Sequence, residues 1–315
     1  MNKNLISVIV PMYFEELVAR ECYNRLKSVM ESIDSYDYEI IFINDGSTDK
    51  TLNILKDISK ENKKVKIINF ARNFGHQVAV TAGLFNCSGD AVVIIDADLQ
   101  DPPELIPQMI NKWNEGYEVV YGKRGKRKGE SKFKLITAKY FYRFLAKMSD
   151  IKIPKDTGDF RLIDKSVVKA FRELPEQNRF IRGMISWIGF NQTYIEYTRD
   201  ERFAGETKYP LSKMIKFASD GIISFSSKPL KLMSAFGFFS IFISFLIFIY
   251  ALISKFVFSA SIGWTSLISV MTFFGGVQIL SLGIIGEYIG RIYDESKNRP
   301  LYIIKDKINF SDEDK

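Results

Sequence analysis

Short apolar runs alternate with helix-like stretches through the first half of the chain. The runs "LISVIVP" (5–11), "YEIIFIN" (38–44), "VKIINF" (65–70), "AVVIID" (91–96) and "EVVYG" (118–122) have strand length and many β-branched residues. Helical patterning fills residues of about 15–34, 49–60, 76–87 and 103–115, which is the rhythm of a doubly wound α/β sheet. The run 91–95 is apolar without alternation, so it predicts a central parallel strand covered on both faces. Polar residues close one strand after another: Asn44–Asp45, Arg72–Asn73, then Asp96 and Asp98. Open α/β sheets bind ligands at the carboxyl ends of their strands, so these residues mark a binding edge.

The pattern changes late in the chain. Residues 211–225 place Leu211, Met214, Ile215, Ala218, Ile222 and Ile223 at helical spacing beside Lys213 and Lys216, which suits an amphipathic helix lying on an anionic membrane surface. Residues of about 233–254 carry no charge, and a second apolar stretch covers about 264–286. Each is long enough to cross a bilayer. Lys228 and Lys231 precede the first stretch, while Arg291, Lys297 and Arg299 follow the second, so the charge bias predicts that both flanks stay inside. The expected organisation is a cytoplasmic α/β domain over 1–210, an interfacial segment over 211–231, a two-helix membrane hairpin over 232–290 and a cytoplasmic tail over 291–315. The first strand begins within a few residues of Met1, and no signal peptide is expected.

Composition sharpens this picture. A net charge of +7 suits an anionic partner, and the membrane stretches favour a lipid over nucleic acid. Cys22 and Cys87 lack metal or redox spacing and read as reduced packing residues. In "DADLQDPPE" (96–104), Pro102–Pro103 stop the strand and open a helix, with Asp101 placed to cap it. Asp96 and Asp98 remain as paired carboxylates at a strand end. They repel each other unless a cation lies between them, and with one histidine in the chain that cation should be a hard one, Mg²⁺ or Mn²⁺. In "NDGSTDKT", Ser47, Thr48 and Asp49 can cap the next helix, which leaves Asp45 to accept hydrogen bonds from a base or ribose. The basic run 122–134 follows a strand end and can hold a phosphate. Neither GxGxxG nor GxxxxGK[ST] occurs, which argues against a dinucleotide site or a P-loop.

The motifs "SVIVPMYFEE", "NDGSTDKT", "RNFGHQVAVTAGL", "DADLQDPPE" and "TGDFRLID" together resemble family 2 glycosyltransferases of the GT-A fold. With the hairpin, the chain is similar to polyprenyl-phosphate glycosyltransferases: the bactoprenol glucosyltransferases and, more distantly, the dolichol-phosphate mannose synthases. The resemblance implies a Rossmann-like, mostly parallel sheet. It also implies metal-dependent, inverting transfer of a hexose, glucose from UDP-glucose first, to undecaprenyl phosphate at the cytoplasmic face of the inner membrane, by a homo-oligomer, a tetramer. On the same basis Pro11, Tyr13, Glu15 and Asp45 are nucleotide-sugar positions. Asp96 and Asp98 are the metal pair, with Gln100 a further oxygen ligand, and Asp96 and Gln100 also belong to the donor site. Asp159 is a candidate general base or orienting group, and with Asp98 and Arg124 makes up the catalytic set. Arg124 is expected to hold the lipid phosphate, joined by Lys132, Lys134, Thr137, Arg202 and Lys208. His76, at a helix start, reads as packing or lying near the donor. A different sugar on the same lipid, or an inactive nucleotide-sugar sensor, are the alternatives. A processive synthase would bring a Gln-x-x-Arg-Trp motif, where this chain has Gln177 followed by "NRF".

Overall fold

The computed structural model describes residues 3–125, 154, 157–198, 226–257 and 264–310. They fall into two compact units. The first is built on an eight-stranded sheet: β1 (Leu5–Met12), β2 (Asp37–Asn44), β3 (Val65–Phe70), β4 (Ala91–Ile94), β5 (Val119–Arg124), β6 (Thr157–Asp164), β7 (Gln192–Tyr197) and β8 (Ile304–Ile308). Its order is β7-β5-β6-β4-β1-β2-β3-β8. The centre, β4-β1-β2-β3, is parallel. β6 runs antiparallel between β4 and β5, and β8 antiparallel against β3, while the other six strands share one direction, so the sheet is mixed but mostly parallel, as expected.

The helices are α1 (Ala19–Glu31), α2 (Thr51–Glu61), α3 (His76–Asn86), α4 (Ile106–Asn114, entered through a 3-10 turn Pro103–Leu105), α5 (Lys165–Arg172) and α6 (Ile181–Ile188). Ile6, Val8 and Val10 of β1 share one buried core with Ala19, Cys22 and Leu26 of α1 and Ile106 of α4. The alternate residue Ile9 faces α3, where a Cβ on Gly83 would come within 2.4 Å of the Ile9 side chain. Both faces are therefore covered, which is why the central runs do not alternate. Cys22 and Cys87 are buried free thiols.

Residues from Arg299 onward belong to this unit. The segment expected to be a tail thus returns to the sheet as its edge strand, with Asp306 Oδ2 accepting from Asn69 Nδ2 at 2.9 Å and the Tyr302 ring stacked on Phe70. A five-residue strand with Lys305, Asp306 and Lys307 in a row carries too little apolar signal to be read from sequence.

One buried network secures the sheet away from its binding edge. Glu39, 4% exposed, accepts from the Ser7 hydroxyl and from Ser88 N–H at 2.9 Å, while its other oxygen lies 2.7 Å from Lys66 Nζ. Removing one partner of a buried ion pair costs about 3–5 kcal/mol. Glu39→Ala is therefore expected to lower the melting temperature of the full chain markedly, and an unchanged melting temperature would show the pair contributes little.

The second unit holds α7 (Lys228–Val257) and α8 (Trp264–Ser296). Each contains a stretch long and apolar enough to cross a membrane, with mean hydropathy 2.0 over Lys228–Ile247 and 1.4 over Phe273–Ser296. Phe236, Phe238, Phe239, Ile241 and Phe242 are exposed along α7. The helices run from 228 and to 296, beyond the expected limits of 232 and 290. Residues 211–225, expected as the amphipathic helix, lie outside the described residues.

Candidate active site

β1, β2, β4, β5 and β7 all end at one edge of the sheet, and antiparallel β6 begins there. That topology collects Asp45 after β2, Asp96 and Asp98 after β4, Arg124 at the end of β5 and Asp159 near the start of β6. In the β4–β6 ladder Ile94 lies opposite Arg161. The same register carried two residues further sets Asp96 across from Asp159.

His76, the first residue of α3, stands between these two acids, its Nε2 3.1 Å from Asp159 Oδ2 and 3.6 Å from Asp96 Oδ1. Burial disfavours a charged imidazole, but the Asp96 and Asp159 carboxylates outweigh it and raise the His76 pKa to about 9. Asp159 also accepts from Gln77 Nε2 at 3.2 Å and from Arg182 Nη2 at 3.3 Å. Burial alone would raise its pKa, yet Arg182, His76 and Arg161 hold it well below the usual carboxylate range. A carboxylate so acidic and so engaged is a weak proton acceptor. Gln77 fixes the arrangement further by accepting the Ile181 N–H at the start of α6 at 2.9 Å.

Asp96 is different. Its Oδ1 is buried with no hydrogen-bond partner. Burial, with Asp159, Asp101 and Asp98 adding to it, pushes its pKa up to about 6 against the opposing pull of His76. Asp98 sits in the following turn and accepts the Gln100 N–H at 3.2 Å, beside Leu99 at φ 57°. Among the described residues no three His, Cys, Asp or Glu side chains converge into a metal cage. Two carboxylates completed by substrate phosphates are nevertheless the usual way Mg²⁺ is held. A buried carboxylate oxygen with no hydrogen bond, under like-charge pressure, fits such an ion.

Asp45 has a role the sequence did not reveal. It is 3% exposed and accepts from Phe74 N–H at 2.7 Å, Asn73 Nδ2 at 2.9 Å and Gly75 N–H at 3.0 Å, so it holds the loop that leads to His76. Its reach to a base or ribose is confined to whatever acceptor capacity those three donors leave. Pro11 lies within β1 opposite Ile43, and Tyr13 is 41% exposed at the edge. Glu15 N–H donates to Thr51 Oγ1 at 3.0 Å and Phe14 N–H to Ser47 Oγ at 3.1 Å. Ser47 therefore ties two edge loops together instead of capping α2, while Asp49 accepts the Thr51 N–H at 3.1 Å. Asp101 is fully buried and makes no cap, since the turn after it has none from a side chain. It faces Arg124 Nη2 at 3.6 Å. Lys132, Lys134, Thr137, Arg202 and Lys208 lie outside the described residues.

Sequence reading missed Gln77, Arg182 and the bridging position of His76. The available signal was that the single histidine directly follows a strand-end loop on the binding edge.

Residues 7–172 match Glycosyl transferase family 2, and residues 228–292 match the GtrB C-terminal hairpin. The chain is 56% identical over 300 residues to the uncharacterized glycosyltransferase YkcC of Bacillus subtilis (strain 168), covering 95% of this chain and 93% of that protein. It is 43% identical over 303 residues to the bactoprenol glucosyl transferase of Shigella phage SfV, covering 96% and 98% respectively. A solved structure, glucosyl-3-phosphoglycerate synthase from Mycobacterium tuberculosis, aligns with a TM-score of 0.46 at 18% identity over 70% of this chain and 78% of that one. The protein belongs to glycosyltransferase family 2 and is a glycosyltransferase.

Proposed function

We propose that the enzyme transfers a hexose, glucose from UDP-glucose, to a polyprenyl phosphate such as undecaprenyl phosphate. The observation that carries this reading is the gathering of Asp96, Asp98, Asp159 and Arg124 on one sheet edge in a chain that also has two membrane-length apolar helices. The near full-length similarity to a bactoprenol glucosyl transferase supports it. Asp96 and Asp98, with Gln100 near them, would hold Mg²⁺ or Mn²⁺, which supplies neutralisation of the charge that develops on a departing diphosphate.

The acceptor is a phosphate monoester with a second pKa of about 6, so it is already largely dianionic at neutral pH. Its oxygen attacks the anomeric carbon opposite the diphosphate; the new C–O bond forms as the bond to UDP breaks, with inversion. No proton has to be removed, in keeping with the low basicity of Asp159. Arg124 orients the acceptor phosphate, and the cationic His76 and Arg182 hold Asp159 beside Asp96. Pro11, Tyr13, Glu15 and Asp45 frame the nucleotide. Lys228 and Lys231 before the apolar stretches and Arg291, Lys297 and Arg299 after them favour an inner-membrane protein with its catalytic unit in the cytoplasm. A homo-oligomer, a tetramer, belongs to the same proposal.

The donor is tested by incubating the purified full chain and polyprenyl phosphate with a panel of radiolabelled UDP-sugars and Mn²⁺ or Mg²⁺. Label from UDP-glucose alone should enter the lipid. Preferential use of an amino sugar would overturn the donor assignment and keep the reaction.

A further inference from the structure

We propose that Asp101 and Tyr197 are positioning residues that aim Arg124 at the acceptor phosphate and keep it off the Asp96–Asp98 pair; this rests on the reading of Arg124 as the acceptor-phosphate ligand. The three residues come from distant parts of the chain. Arg124 ends β5 and lies in register beside Tyr197, which ends β7, and Gly125 N–H donates to Tyr197 O at 2.8 Å to lock the two strand ends. The Tyr197 hydroxyl donates to Asp101 Oδ1, so it is linked to Arg124 through the carboxylate that both share. Asp101 Oδ2 lies 3.6 Å from Arg124 Nη2.

A fully buried carboxylate with no capping duty requires a reason, because burying a charge is costly unless it is paired. Arg124 supplies the pairing, and Asp101 in return fixes where the guanidinium sits. The 3.6 Å separation exceeds the roughly 2.7–2.9 Å of a tight charge-assisted bond, so Asp101 balances the charge while leaving N–H donors for a second anion. Arg124 Nε is buried without a partner, and the side chain is 23% exposed. The guanidinium is therefore seated from behind and open on one side. Asp96 also attracts it; with Asp101 neutralised, Arg124 is drawn toward Asp96, where it competes with the cation. Gly158 closes the seat, since a Cβ there would meet Arg124 Nη2 at 2.5 Å.

The test is steady-state kinetics of the full chain with its nucleotide-sugar donor and undecaprenyl phosphate. Tyr197→Phe keeps the ring that packs edge-on against Phe160 and removes only the hydroxyl. It should raise the KM for undecaprenyl phosphate roughly tenfold, the size of one lost hydrogen bond to a charged group, with donor KM unchanged. Asp101→Asn should raise both the acceptor KM and the Mn²⁺ concentration needed for half-maximal rate. Gly158→Ala displaces the guanidinium, meeting Asp101 Oδ2 only in ordinary van der Waals contact at 3.5 Å, and should reproduce the acceptor effect, so the proposal stays testable if one of the other variants fails to fold. Arg124→Gln separates the two levels. If Arg124→Gln raises acceptor KM but neither Tyr197→Phe nor Gly158→Ala does, the positioning role is overturned. If Arg124→Gln itself leaves acceptor KM unchanged, the assignment of Arg124 falls and the positioning role with it.

Discussion

Asp98→Ala is expected to lower the transfer rate by on the order of 10²–10³-fold, the scale of losing one preorganised stabiliser of transition-state charge, while leaving the melting temperature nearly unchanged. Asp98 lies in a half-buried turn and not in the core, so its loss should be felt in chemistry before it is felt in folding. Its neighbour gives the same assignment a pH signature. The Asp96 carboxyl titrates at about 6 in the metal-free protein, so it is protonated below that pH and charged above it. Mn²⁺ affinity, followed by calorimetry, should weaken as pH falls through 6 and level off above it. A Mn²⁺ affinity flat from pH 5 to 7.5, or full activity in Asp98→Ala, would remove these two residues from the metal site.

Asp159→Asn is expected to reduce kcat by about 10²-fold and to destabilise the fold by at most about 3–5 kcal/mol, because it leaves buried Arg161 and the partly exposed Arg182 and His76 without their shared carboxylate. The acid limb set by Asp96 should survive in the variant, moved to lower pH because Asp159 helps to raise the Asp96 pKa. The wild-type Asp159 carboxylate is held well below its usual range, so it stays ionised across the working pH and contributes no acid limb. An acid limb that disappears in Asp159→Asn would restore the general-base role. The chain has one histidine, which makes a second readout clean: its imidazole resonance should titrate at about 9 in the wild type. Losing Asp159 removes a raising neighbour, so the same resonance should titrate at lower pH in the variant.

The binding edge was legible because its residues follow apolar runs directly: Asp45 closes β2, Asp96 follows β4 within two residues, and Arg124 ends β5. Strand pattern and the strand-end rule suffice for the two acids, while Arg124 stood out only through the family resemblance. The partners of those residues were not legible. Asp101 stands before a proline pair, where capping is the natural local reading; its burial depends on Tyr197 in β7 and Arg124 in β5, contacts that only the sheet order creates. His76 and Gln77 meet Asp159 because β6 enters the sheet antiparallel and delivers its first residues to the edge where the other strands finish. Nothing local in "TGDFRLID" sets that direction. The return of the chain from Arg299 to pair β8 with β3 was hidden for the opposite reason, since its charged residues look solvated until Asn69 and Phe70 are seen to receive it.

The central claim is sugar transfer to a lipid phosphate at this edge, and the most direct measurement is label in the organic phase after purified full chain is incubated with radiolabelled UDP-glucose, undecaprenyl phosphate and Mg²⁺. The account predicts an organic-soluble, acid-labile glucosyl lipid that forms with the wild type and is lost with Asp98→Ala. UDP-glucose binding with no label reaching the lipid would contradict it.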